Sequence, residues 1–263
     1  GSSNFVFNGA SQSIDTNGQP FWSVSFAGSG TKTLGQALDT HGSLTINNGV
    51  TLDVGVNRTI TCGGSWVNNG TFNANNGLVV FDGTAQSINA AGQAFYDLQL
   101  STSSTTKTLT GAIDINHNLT IDAGVTFDVS AIAYQINIAG NWINNGTFTR
   151  RTGTVVFDGT TVISGSTAPS FNNVTISGTA LRLPSCLTTD VSGNWNQSAG
   201  TLTATGSTLQ FSGSSQNIAP GGQSFNHVTI SGAGTKMLTG AGTIAGVLTL
   251  SAGTFDASGQ TLN

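Results

Sequence analysis

Residues 79–88 read VVFDGTAQSI, and close copies stand at residues 5–14 (FVFNGASQSI), 155–164 (VVFDGTTVIS) and 209–218 (LQFSGSSQNI). The aligned phenylalanines Phe7, Phe81, Phe157 and Phe211 are therefore 74, 76 and 54 residues apart. The short interval decides the fold. A closed globular repeat cannot lose a third of its length and keep its core, whereas a stack of coils can lose one coil and close up. The chain reads as a β-solenoid.

Finer spacing agrees. Fourteen apolar anchors, beginning Phe7, Val24, Leu44, Trp66 and ending at Leu248, follow one another at steps of 15 to 23 residues. The third repeat lacks the step of 22–23 residues found in the first two, so the missing piece is one coil. The expected fold is all-β, a single-stranded parallel β-helix of about 13–14 coils, 15–23 residues per coil, with right-handed winding. Residues 1–263 are expected to form one continuous solenoid of four repeats: 5–78, 79–154, 155–208 (one coil shorter) and 209–263 (incomplete).

Composition points the same way. All 11 acids are Asp, charged residues are 7% of the chain, and Gly (36), Ser, Thr and Asn are plentiful. This bias favours strands and turns over helices. Alternation of apolar and polar residues is common, as in AIDINHNLTI at 112–121. A net charge of −4, with no basic cluster larger than Arg150–Arg151, excludes a nucleic-acid footprint. No apolar run approaches the length of a membrane span, so no membrane insertion is expected.

Corners recur as Asn-Gly, at 8–9, 17–18, 48–49, 69–70, 76–77 and 145–146, where the left-handed backbone conformation is tolerated. Doubled Asn, at 68–69 and 144–145, can bond its amides up and down the stack. Thr45, Thr120, Thr175, Thr229 and Thr249 each sit between two aliphatic residues, which predicts aliphatics pointing in and an exposed Thr row pointing out. Such a row is a candidate surface for polysaccharide or ice. The segments GSWVNNGTF (64–72) and GNWINNGTF (140–148) are near copies, with a remnant at Gly193-Asn194-Trp195. The recurring Trp is either a wide core residue or an aromatic platform. Trp22, Tyr96 and Trp142 are the candidate polysaccharide contacts.

The segment GNWINNGTF followed by GTVVFDGT resembles repeats of very large secreted and surface-anchored bacterial proteins, described as β-helical, adhesin-like or filamentous-haemagglutinin-like. The resemblance covers essentially the whole chain. It implies an extracellular or cell-surface location and a structural or adhesive role, and it carries over no catalytic residues.

No enzyme is expected. Asp53 copies Asp128, Asp82 copies Asp158 and Asp39 copies Asp114. Copies separated by about four coils, roughly 19 Å, exceed the separations up to about 9.5 Å that paired carboxylates use in glycoside hydrolysis. His41, His117 and His227 occupy different repeat positions and read as corner or solvent-facing residues rather than metal ligands. No metal site and no cofactor is expected. Cys62 and Cys186 read as buried free thiols, with an intermolecular bridge as the alternative. Strand-like sequence at Asn4-Phe5-Val6-Phe7 and again up to Gln260-Thr261-Leu262 suggests open coil ends, expected either of a piece of a longer surface protein or of a subunit whose copies meet head to tail in filaments.

Overall fold

A computed structural model describes residues 3–102 and 104–260; Thr261 and Leu262, expected as strand, lie outside the described residues. The chain is all-β with no helix among the described residues, and its parallel sheets are stacked as a β-solenoid of about 13 turns. Contacts group it into two compact units. One comprises Gly1–Ser130 with Asn145–Thr149, the other Ala131–Asn144 with Arg150–Asn263.

In the first unit each turn contains three strands. Leu44–Ile46, Val50–Asp53 and Thr59–Cys62 make one turn, and Trp66–Asn68, Thr71–Asn73 and Leu78–Phe81 make the next. Asn4–Phe7 and Gln12–Ile14 pair in parallel with the strand two places along, because Phe21 closes the first turn as a single bridge to Thr40. Later pairings join strands three places apart, with Leu44↔Trp66, Leu52↔Phe72 and Ile60↔Val79 in register. The second unit follows the same rule, for example Val174↔Trp195 and Leu209↔Val228. Strands of two to five residues suffice because each pairs its backbone with a strand of a neighbouring turn. Alternation places the aliphatic residues of Leu44–Ile46, Leu119–Ile121 and Asn173–Ile176 in the core and the intervening Thr outside.

Register partners in either unit lie 19 to 23 residues apart, from Phe5↔Val24 to Trp195↔Ile218. The 15-residue interval from Trp66 to Phe81 is therefore no turn. Trp66 pairs with Ile88, while Phe81 pairs with Cys62 and Leu100 on the neighbouring face. Eleven strands separate Leu78–Phe81 from its copy Thr154–Phe157, and eight separate that copy from Thr208–Phe211. One sequence repeat thus winds three turns and two strands more, and the third repeat is shorter by three strands, which is one whole turn. As a result, Leu44 stands in the column Val24–Leu44–Trp66, whereas its repeat equivalent Leu119 stands on the next face in the column Val79–Leu98–Leu119.

Corners are closed by side chains that replace missing backbone partners. Asp53 Oδ1 accepts the Gly55 N–H at 2.8 Å, and Asp15, Asp128 and Asp256 accept the N–H two residues on in the same way. Asn57 and Gly55 take positive φ at such a corner (53° and 72°). Asn68 is fully buried; its Nδ2 donates to Ala90 O on the following turn at 3.2 Å and its Oδ1 accepts the Gly70 N–H at 3.0 Å. The doubled Asn therefore does bond along the stack.

The three repeated tryptophans, Trp66, Trp142 and Trp195, are core residues at 0–1% exposure. Each meets a phenylalanine of the following repeat edge to face: Trp66 with Phe95 at 5.4 Å, Trp142 with Phe171 at 5.3 Å, Trp195 with Phe225 at 5.7 Å. The indole N–H groups of Trp66 and Trp195 have no oxygen or nitrogen acceptor. The edge-to-face geometry offers these N–H groups a ring face instead.

Candidate functional site

The aromatic candidates do not form one platform. Trp22 is 49% exposed, Tyr96 is half-buried and Trp142 is 1% exposed. Trp142 is thus corrected from a polysaccharide contact to a core residue, because alternation along Trp142–Asn144 turns its ring inward with Ile143 outward. Tyr96 stacks on His117, the rings 4.7 Å apart and 19° from parallel. Asp97 Oδ1 lies 2.8 Å from His117 Nδ1 and also accepts the Asn118 N–H at 3.0 Å. Beside them Gln99 donates to Asp122 at 2.8 Å.

The five threonines do point outward, yet they make no single row. Thr45 stands between Ser25 and Val67, Thr120 beside Gln99, and Thr175 between Val156 and Asn196. Only Thr229 and Thr249 are adjacent. The cause is the repeat length: a repeat that is not a whole number of turns moves each copy onto another face.

Other ionisable groups serve the frame. Arg150 reaches Asp190 at 2.6 Å and also bonds Ser170, tying consecutive turns of the second unit. Burial pushes the Asp114 carboxyl above its ordinary value. Among the described residues no three His, Cys, Asp or Glu come together as a metal site. Cys62 is buried, as expected, but Cys186 is exposed, because it lies in the loop after Pro184 rather than on a strand. That loop borders an open groove of about 400 Å³ lined by Val162, Ser164, Arg182 and Ser185.

Two internal devices are not expected from the sequence. The first is a file of side-chain acceptors. The N–H of Ser43 bonds Ser23 Oγ, that of Ser65 bonds Ser43 Oγ and that of Ser87 bonds Ser65 Oγ, at 3.1–3.2 Å and one turn apart each time. In the second unit Asn173 and Asn194 accept likewise from Asn194 and Asn217. The residue preceding each repeated Trp (Ser65, Asn141, Asn194) accepts the N–H of a residue one turn on in this way, each on its own sheet.

The second device uses every lysine in the chain. Lys32, Lys107 and Lys236 are all fully buried. Lys32 Nζ donates to the carbonyls of Gly9 (2.5 Å), Ser29 (2.7 Å) and Ala10 (3.1 Å). Lys107 donates to Gly83 O and to Thr105 Oγ1, and Lys236 to Gly232 O and Ala233 O. One turn earlier, in register, lie Gln12, Gln86 and Gln216. Each Gln accepts the N–H of the corner glycine, and Gln86 and Gln216 also donate to carbonyls of the preceding turn. Burial lowers the Lys107 ammonium to about 8 and lowers Lys236 too. The signal was present in the alternation: in Thr31-Lys32-Thr33-Leu34, outward threonines force Lys32 inward with Leu34.

Comparison with family models, curated proteins and solved structures gives no match to this chain.

Proposed function

We propose that this chain is an extracellular structural and adhesive β-solenoid of a bacterial surface or secreted protein, without catalytic activity, whose turns self-associate end to end. The carrying observation is where its reactive side chains are spent. All three lysines are turned inward onto carbonyls, and four of the carboxylates are occupied in closing corners. Short uncharged Ser, Thr and Asn side chains hold many of the outward strand positions, as at Ser25, Thr45, Thr61, Ser87, Thr120, Thr175 and Asn196. The resemblance of GNWINNGTF and GTVVFDGT to adhesin-like repeats supports the location. Light scattering after size exclusion, combined with electron microscopy, tests the assembly. Fibres of stacked copies are the expected result, and a discrete monomer at every concentration overturns self-association.

A second reading, a polysaccharide-binding module, rests on the half-exposed Trp22. It predicts co-sedimentation with an insoluble neutral polysaccharide that is lost in Trp22→Ala. Hydrolysis or cleavage of such a polymer by the purified chain would overturn the non-catalytic part of the proposal.

A further inference from the structure

The paired Gln and Lys occur in three repeats and are absent together from the remaining one. In the third repeat their register positions hold Thr161 and Leu181. Corner length changes at the same place. Four residues separate the inward Phe from Gln in the other repeats (Phe7 to Gln12, Phe81 to Gln86, Phe211 to Gln216), but three separate Phe157 from Thr161. On the next turn, five residues lie between Phe26 and Lys32, six between Leu100 and Lys107 and five between Ile230 and Lys236. Between Ile176 and Leu181 there are four.

Backbone conformation follows corner length. On the Lys turns the longer corners each hold two residues with positive φ, Gly28 and Gly30 (77° and 70°), Thr102 and Ser104 (71° and 63°), Gly232 and Gly234 (74° and 80°), whereas the Gln corners at 8–11, 82–85 and 212–215 hold none. No residue from 177 to 180 has positive φ. The carbonyls of Ser29, Gly232 and Ala233, taken by Lys32 and Lys236, lie in the left-handed corners, and those of Gly9, Ala10 and Gly83, taken by Lys32 and Lys107, lie in the Gln corners of the preceding turn. A buried carbonyl needs a donor. The ammonium supplies three donors on a flexible stem, and the Gln amide supplies two.

We infer that each Gln–Lys pair is an internal clip that makes a wide corner possible, and that clip and corner length are exchangeable only as one unit. In the tight corners the Gly159 carbonyl accepts the N–H groups of Thr179 and Ala180, and the Thr179 carbonyl that of Thr201, so Leu181 fills the position and an ammonium there would find these acceptors already bonded. The pair holds two consecutive corners together, since Lys32 bonds Gly9 and Ala10 of one corner and Ser29 of the next. Lys107 similarly bonds Gly83 in the corner below and Thr105 in its own.

The test is a set of full-length variants followed by thermal unfolding. Lys107→Leu and Gln86→Thr, alone and together, keep the wide corners and remove the clip. Each lowers the unfolding midpoint, by about 5 °C or more for Lys107→Leu, because buried carbonyls lose their donors. A fourth variant adds to the double substitution a deletion of Thr84 and a cut from six residues to four before position 107. It recovers at least half of the lost midpoint. The reverse graft, Thr161→Gln with Leu181→Lys in the unaltered tight corners, lowers the midpoint as well. Should the wide-corner variants fail to fold, the reverse graft and its rescue by lengthening residues 158–160 and 177–180 decide the matter. Lys107→Leu as stable as the parent chain, a shortened variant no better than the double substitution, or a neutral reverse graft overturns the inference.

Discussion

Gln86 stands one turn beyond Cys62 and donates through Nε2 to the Cys62 carbonyl at 2.7 Å, so a buried amide and a buried thiol share one corner. Lys107 is the register partner of Gln86 on the turn after that. Three polar side chains on successive turns therefore replace what would otherwise be apolar core, and two of them titrate at accessible pH.

Burial raises the Cys62 thiol from 9.0 to about 11 and lowers the Lys107 ammonium from 10.5 to about 8, the latter opposed by the nearby Asp82 charge. The unfolded chain holds the Lys107 proton more tightly than the folded one, so this group adds stability as pH rises from about 8 to 10.5. Cys62 acts in the other direction. Its folded form keeps the proton up to about 11, and the stability present below pH 9.0 is lost as pH rises through that window. The thermal midpoint is expected to climb from pH 8 to 9 and then flatten. Cys62→Ala extends the climb toward pH 10.5, and Lys107→Met reduces it, leaving the smaller contribution of Lys236. A parent midpoint that falls steadily from pH 8 contradicts these assignments.

All three lysines are inaccessible in the folded chain. Acylation by an amine-directed reagent under native conditions is expected to leave Lys32, Lys107 and Lys236 unmodified, and to modify all three in denaturant. Peptide mass spectrometry reads this directly. Native modification of any lysine at the rate of a free amine would show that its corner is open.

Among the tryptophans, Trp22 alone is substantially exposed, with Trp66, Trp142 and Trp195 buried. Acrylamide should quench one fraction of the fluorescence, and Trp22→Phe should remove that fraction. Trp142→Ala is expected to cost about 3–5 kcal/mol of stability, since it empties a core position flanked by Phe157 and Phe171. An unchanged denaturant midpoint in that variant would place the ring outside.

Thr161 is 1% exposed and its hydroxyl has no hydrogen-bond partner. Replacing it with the near-isosteric Val removes an unsatisfied polar atom, and the variant should be as stable as the parent or about 1 kcal/mol more stable. Thr40, equally buried, donates to Thr61 O at 3.3 Å and Gly42 O at 3.2 Å, so Thr40→Val should lose about 1 kcal/mol. Chemical denaturation of both variants separates the two cases.

Much of the architecture was legible because parallel coils stack like on like. The interval between Phe157 and Phe211 revealed a missing turn, and x-Thr-x segments such as 44–46 revealed which side faces the core. The turn length was less legible. Trp66 and Phe81 are both inward, and nothing in residue type says that they belong to neighbouring faces rather than to successive turns. That same ambiguity suggested a threonine row that the register disperses. The clip escaped notice because lysine is ordinarily placed at the surface. Burying Lys32 depends on carbonyls contributed by residues 9, 10 and 29, whose inward rotation is a property of corner backbone and not of any side chain.

Because a repeat closes three turns and two strands, copying it within a gene hands the same residues to a different side of the coil each time. Growth of this chain by whole repeats thus preserves its interior faithfully while scattering whatever the exterior displays. Loss of a whole turn, as between the third repeat and its neighbours, leaves the sides in step. Selection for a uniform outer face would have to act on each copy separately, whereas selection for the inside is inherited ready-made.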